Sequence, residues 1–116
     1  MFFFGKEKYS VREGDSIEVA ILRYDSSRFS SVRVATSSMS AKEEDYTPIN
    51  RILYFRIDEN YKSIRVFALK DYLTEGDEFF TLQLLATEPN SIGYPSIATV
   101  KIIDMPMPES DISIQG

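Results

Sequence analysis

The chain has 116 residues, with 13 Lys plus Arg against 18 Asp plus Glu, a formal net charge of −5, 43% hydrophobic residues, and no Cys, His or Trp. One compact domain with one core is expected at this size, and the missing residue types exclude a disulfide framework, an N/S zinc site, a thiol nucleophile and a Ser-His-Asp triad. The acidic balance opposes nucleic-acid binding, nothing approaches the roughly 18 consecutive apolar residues of a membrane span, and a hard cation is the ligand class that suits the composition.

The opening Met1-Phe2-Phe3-Phe4-Gly5 lacks the charged region and length of a signal peptide, and the abrupt start and end read as those of a piece of something larger. A first strand is expected from Phe2 through Val11, kinked at Gly5, with a turn at Glu13-Gly14-Asp15. In the second strand, Ile17, Val19 and Ile21 share one face and are assigned to the core, while Glu18 and Arg23 interrupt the pattern. The third runs from about Phe29 to Thr36 and leads into a polar loop, Ser37 to Asn50, that contains Glu43-Glu44-Asp45-Tyr46. Ile52 to Ile57 make the fourth, Asp58-Glu59-Asn60 a turn, and Ile64, Val66 and Ala68 the fifth. An acidic connection, Asp71 to Glu78, precedes a sixth strand carrying Phe80, Leu82 and Leu84. The seventh spans Ile97 to Ile103, and Met105-Pro106-Met107-Pro108 cannot continue a central strand.

No window sustains a helical apolar stripe, so the fold class is all-β. Seven short strands at this spacing predict a seven-stranded, immunoglobulin-like two-sheet sandwich, with a small closed barrel as the competing fold. The domain is expected over residues 1–105, with 106–116 a linker or the start of a neighbouring module. Val19, Ile21, Val34, Phe55, Val66, Leu82 and Val100 should face inward. Tyr24, Tyr46, Tyr61, Tyr72 and Tyr94, near strand ends, should bury their rings and leave their hydroxyls wet.

If successive strands run antiparallel, the connections alternate between the two ends of the sandwich. One end then collects Glu13, Asp15, Glu43, Glu44, Asp45, Asp71, Glu75, Asp77, Glu78 and Asp104, ten of the 18 acidic residues, with Arg12, Lys42 and Lys70 nearby. Ca²⁺ takes six to eight oxygens, often from several loops. Two carboxylates about 5 Å apart repel by roughly 1 kcal/mol even in water, so a tight cluster favours a cation. An ordinary solvated acidic face is the competing account. No cleft is evident around Glu75 and Glu78, and the missing catalytic residue types argue against an enzyme.

Several segments together resemble the Calx-beta domain family. They are Phe4 with Tyr9-Ser10-Val11-Arg12-Glu13 and Gly14; Val19, Ile21 and Arg23; Thr36, Ala41 and Asp45-Tyr46; Leu53-Tyr54-Phe55, Glu59, Ile64 and Val66; Asp71, Glu75 and Glu78-Phe79-Phe80 leading to Leu82 and Leu84; and Gly93 with Val100-Lys101-Ile102-Ile103-Asp104. The resemblance implies a tandem immunoglobulin-like module of adhesion receptors, Fras/Frem matrix proteins, an integrin β tail, microbial surface proteins or sodium/calcium exchangers. It also implies metal ligands at Glu13, Asp45, Asp71, Glu75 and Asp104, with Glu78 beside them. Lys70 stands where an aspartate often precedes Asp71, and Met105-Pro106 replaces further aspartates, so Ca²⁺ binding is expected to be weak or absent. The expectation is therefore a non-enzymatic extracellular or cell-surface adhesion or matrix module, monomeric in isolation. Its partners would be neighbouring domains and other proteins, with no nucleic acid and no membrane insertion. A cytosolic Ca²⁺-sensing domain is the alternative.

Overall fold

The computed structural model describes residues 1–70, 76–89 and 91–104. Among them are eight strands: β1 (Phe2–Phe4), β2 (Lys8–Arg12), β3 (Ser16–Arg23), β4 (Ser30–Ser38), β5 (Asn50–Phe55), β6 (Tyr61–Phe67), β7 (Glu78–Ala86) and β8 (Ile97–Ile103). They form a three-stranded sheet, β1-β3-β6, and a five-stranded sheet, β2-β8-β7-β4-β5. The all-β, two-sheet sandwich expected from the sequence is the fold observed.

The count is eight because the expected first strand is divided between the two sheets. β1 pairs antiparallel with β3, setting Phe4 against Ile21, whereas β2 pairs in parallel with β8, setting Val11 against Ile102. Gly5 sits at the crossing, with its amide 3.1 Å from the Ala20 carbonyl. A Cβ there would lie 3.4 Å from both Ala20 Cβ and Leu22 Cδ1, so the absence of a side chain lets the chain pass close over β3.

Period-two alternation fills the space between the sheets. Phe4, Val19, Ile21, Ile64 and Val66 meet Val32, Val34, Phe55, Phe80, Leu82 and Val100, all fully or almost fully buried. Every residue assigned inward as a test of register is inside. Ile17, at the mouth of β3, is only half-buried, packed against the rim of the core.

Arg23, Ser30 and Tyr46 bring polar groups into this interior. Arg23, in phase with Val19 and Ile21, is 4% exposed. It donates from Nε to the Glu59 carbonyl (2.7 Å), from one terminal nitrogen to the Arg28 carbonyl and Ser30 Oγ (2.7 Å each), and from the other to the Arg56 carbonyl. Tyr46 stacks its ring on Phe80, centroids 3.9 Å apart, and shares a 2.7 Å hydrogen bond with Ser38. The expectation for tyrosines therefore divides. Tyr46 is wholly internal, Tyr24 and Tyr94 are 75% exposed, Tyr61 is 54% exposed, and Tyr72 lies outside the described residues.

Candidate metal centre

The β2–β3 turn, the β4–β5 loop and the ends of β6 and β8 meet at one end of the sandwich, as the alternation of strands requires. Gly14, at φ 81°, closes the turn after Glu13 in a conformation that glycine adopts at no steric cost. The Gly14 amide donates to the Ala68 carbonyl (3.0 Å), and the Ala68 amide donates to the Asp15 carbonyl (2.9 Å), tying this turn to the end of β6. From the β4–β5 loop, the Asp45 carbonyl accepts the Leu69 amide (2.9 Å).

Glu13 and Asp104 are brought together by the parallel pairing of β2 and β8. The register sets Arg12 against Ile103, and the Glu13 amide continues it onto the Ile103 carbonyl at 3.2 Å. Glu13 thus stands across from Asp104, one residue beyond each strand. Both side chains are half-buried, whereas Asp15, Glu43 and Glu44 are exposed. Glu13 Oε1 and Asp104 Oδ1 are both withdrawn from solvent. The other Asp104 oxygen accepts the Gly76 amide (3.0 Å). Its own amide donates to Asp77 Oδ1 (3.2 Å), while Asp77 Oδ2 lies 3.4 Å from Lys101 Nζ.

Asp45 is half-buried and held by its own loop, since Oδ2 accepts the Lys42 amide at 2.8 Å and its amide returns to the Lys42 carbonyl at 2.8 Å. Tyr46, bridged to Ala68, anchors that loop in the core. Removing its hydroxyl with Tyr46→Phe leaves the Ser38 hydroxyl short of a partner and should cost about 0.5–1.5 kcal/mol in urea denaturation, with the ring packing intact. No measurable loss would mean that the hydroxyl does not help to fix Asp45.

Asp71, Glu75 and Met105-Pro106 lie outside the described residues. Among the described residues no three acids form a group that could hold a metal ion. The donor chemistry fits a hard cation, since Glu13 and Asp104 offer carboxylates from the ends of adjacent strands. Completing a six- to eight-oxygen shell would fall to backbone carbonyls and the connection after β6. Lys70 lies against this turn, its Cβ and Cδ 3.6 and 3.8 Å from where a Gly14 Cβ would stand. The Lys70 stem is thus packed against the turn that follows Glu13. Sequence reasoning missed how Glu13 and Asp104 become neighbours, because a parallel pairing between the second and last strands leaves no mark on their spacing.

A model of the Calx-beta domain matches residues 1–106. The human (Homo sapiens) FRAS1-related extracellular matrix protein 2 is 36% identical over 114 residues, covering 90% of this chain and 4% of that protein. The chain therefore spans only a small part of that relative's length. Among solved structures, the apo-form Calx CBD1 domain is similar with a TM-score of 0.83 at 28% identity, covering 90% of this chain and 96% of that one. The calcium binding domain CBD12 of CALX1.1 gives a TM-score of 0.83 at 29% identity, covering 90% of this chain and 45% of that one.

Proposed function

The chain belongs to the Calx-beta domain family, and on that premise we propose that it is a non-catalytic extracellular matrix or adhesion module with one weak Ca²⁺ site at its acidic pole. The β2–β8 register carries the metal reading, because it sets two half-buried carboxylates, Glu13 and Asp104, side by side. In this reading Glu13, Asp45, Asp71, Glu75 and Asp104 supply ligands. The ion screens their repulsion and stiffens the exit toward a following module. Residues 1–105 form the module and 106–116 connect it to its neighbour in a tandem array. The likeness to a FRAS1-related extracellular matrix protein supports the extracellular placement. The likeness to the calcium binding domain of CALX1.1 supports the second reading, a cytoplasmic Ca²⁺-responsive domain.

Affinity separates the two readings. Lys70 subtracts charge, so a dissociation constant of about 10⁻⁴ to 10⁻³ M is expected, the range of extracellular modules, where a cytosolic sensor needs about 10⁻⁷ to 10⁻⁵ M. One millimolar Ca²⁺ over such a weak site stabilises the fold by about 0.4–1.4 kcal/mol, a rise in melting temperature of a few degrees. Glu13→Gln or Asp71→Asn should remove most of that rise. Lys70→Asp, which reverses a charge beside the site, should tighten binding on the order of tenfold. Calorimetric titration with CaCl₂ against MgCl₂ and NaCl at matched ionic strength tests it. Equal responses to all three salts would mean a solvated acidic face without a site, and micromolar Ca²⁺ affinity would favour the sensing domain.

A further inference from the structure

On the flank away from β2 and β1, β6, the last strand of the three-stranded sheet, is covered at its end by the β4–β5 loop, where the Thr47 amide donates to the Phe67 carbonyl at 3.1 Å. The five-stranded sheet ends there in β5, which among the described residues pairs only with β4. Such an edge presents unpaired backbone donors and acceptors to any extended chain. In a protein of net charge −5, this flank is cationic. Arg33, Arg51, Arg56, Lys62 and Arg65 gather here, opposed by Asp58 in the exposed turn and by two carboxylates already engaged. Glu18 lies 3.4 Å from Arg65, and Glu59 lies 3.5 Å from Lys62 while capping the Arg56 amide at 2.7 Å. Arg51 and Arg56 are exposed, and neither has a carboxylate partner among the described residues.

Beside β5 lie two open grooves, one at each end of the strand. One, of about 310 Å³, is lined by Ile49, Arg51, Arg65 and Phe67 with their neighbours. The other, of about 440 Å³, is lined by Phe29, Leu53, Tyr54, Arg56 and Lys62 with theirs. Phe29 and Tyr54 are each 55% exposed, and their rings are stacked with centroids 5.9 Å apart. Each groove therefore combines apolar walls with two cationic side chains. The second also holds Glu59, which lies 3.5 Å from Lys62 and leaves Arg56 as its cation without a carboxylate within ion-pair distance among the described residues.

We propose that the free β5 edge and the two grooves beside it are a docking site for an extended segment of another protein that carries acidic residues five apart with apolar residues between them. The backbone of that segment would extend the five-stranded sheet, as strand addition does elsewhere. Its carboxylates would meet Arg51 and Arg56, which lie five residues apart, about 16 Å along an extended chain, so the two acids stand on opposite faces of the added strand. Its apolar side chains would enter the grooves. Arg51 takes the inward phase of an edge strand, a placement that discourages pairing with a like copy. Two β5 edges brought together would oppose arginine to arginine, whereas an acidic strand meets no such repulsion. Charge thus selects the partner. A sulfated polysaccharide would use the cations and leave the free backbone edge and the Phe29–Tyr54 pair unused.

The test uses the 116-residue chain and four probes: a capped ten-residue Glu-Val peptide with its two Glu five residues apart and Val and Ser elsewhere, the same peptide with alternate amides N-methylated, a Lys-Val peptide of equal length with Lys in place of Glu, and a heparin-derived octasaccharide. Two-dimensional NMR titration should place the largest Glu-Val shifts on the amides of Asn50–Phe55 and slow their exchange. N-methylation should weaken binding at least tenfold, and the Lys-Val peptide should not bind. Arg51→Glu combined with Arg56→Glu should weaken the Glu-Val peptide at least tenfold while leaving circular dichroism and melting temperature unchanged, since both side chains are exposed. Absence of Glu-Val binding, shifts that bypass β5, or indifference to N-methylation would overturn the proposal. Octasaccharide binding at the same arginines, tighter than the peptide's, would replace it with a polyanion patch.

Discussion

Phe55→Ala should destabilise the domain by about 3–5 kcal/mol, a large part of the 5–15 kcal/mol that holds a small domain folded. Phe55 is fully buried at the end of edge strand β5, opposite Ser30. Its ring lies 4.9 Å from Phe2 in a tilted arrangement and beneath the cations of Arg23 and Lys62 at 5.4 and 5.9 Å. One side chain thus joins β1 of the small sheet to β5 of the large one. Truncation leaves a cavity walled by strands of both sheets, which cannot collapse without breaking ladder hydrogen bonds. Urea denaturation should show a lower midpoint at unchanged slope. A loss below about 1 kcal/mol would mean that the region repacks freely and that the two sheets do not depend on this contact.

Arg23→Met should cost about 3–5 kcal/mol, because three backbone carbonyls and the Ser30 hydroxyl lose their donor and a buried polar group left unsatisfied costs about 1–3 kcal/mol. The guanidinium is held by three backbone carbonyls and the Ser30 hydroxyl. Those carbonyls belong to the β3–β4 connection and to the turn between β5 and β6. Arg23 is therefore the peg that closes the end of the sandwich opposite the acidic pole. Methionine keeps much of the stem's volume and its contact with Phe55, so the loss reports the hydrogen bonds, less the desolvation of the guanidinium that methionine avoids. Arg23→Lys should recover only part of the loss, because a single ammonium cannot reach carbonyls spaced for a planar fork. The double variant with Phe55→Ala should be non-additive by about 0.5–3 kcal/mol, because the two side chains are in contact. Additivity within error would show that the cation over the ring contributes nothing beyond geometry.

The two poles differ in how much of them the sequence discloses. Val19 with Ile21, Phe80 with Leu82 and Leu84, and Ala98 with Val100 and Ile102 declare their strands and inward faces by simple alternation, and all are buried. Alternation along a strand is a local property and survives in the text of the sequence. Counting strands also assigns the acids to one end, and the backbone bonds that tie Asp15 and Asp45 to Ala68 and Leu69, just past β6, lie at that end. Tyr46 and Arg23 were harder to read. A tyrosine in an acidic loop looks like a surface residue until Phe80 is beneath it. An arginine in phase with Val19 and Ile21 interrupts the pattern until the carbonyls that receive it are in place.

By itself, then, the sequence determined the strands, their inward faces and the identity of the family, because periodicity, turn residues and their order along the chain are all local. Tertiary structure alone decided three things: that the chain crosses between sheets at Gly5, that β2 lies parallel to β8 so that Glu13 faces Asp104, and that β5 is left with a free cationic edge. Each is a pairing between segments far apart in the chain. Such pairings are chosen by the closure of the whole core, and no local pattern of residues encodes that choice.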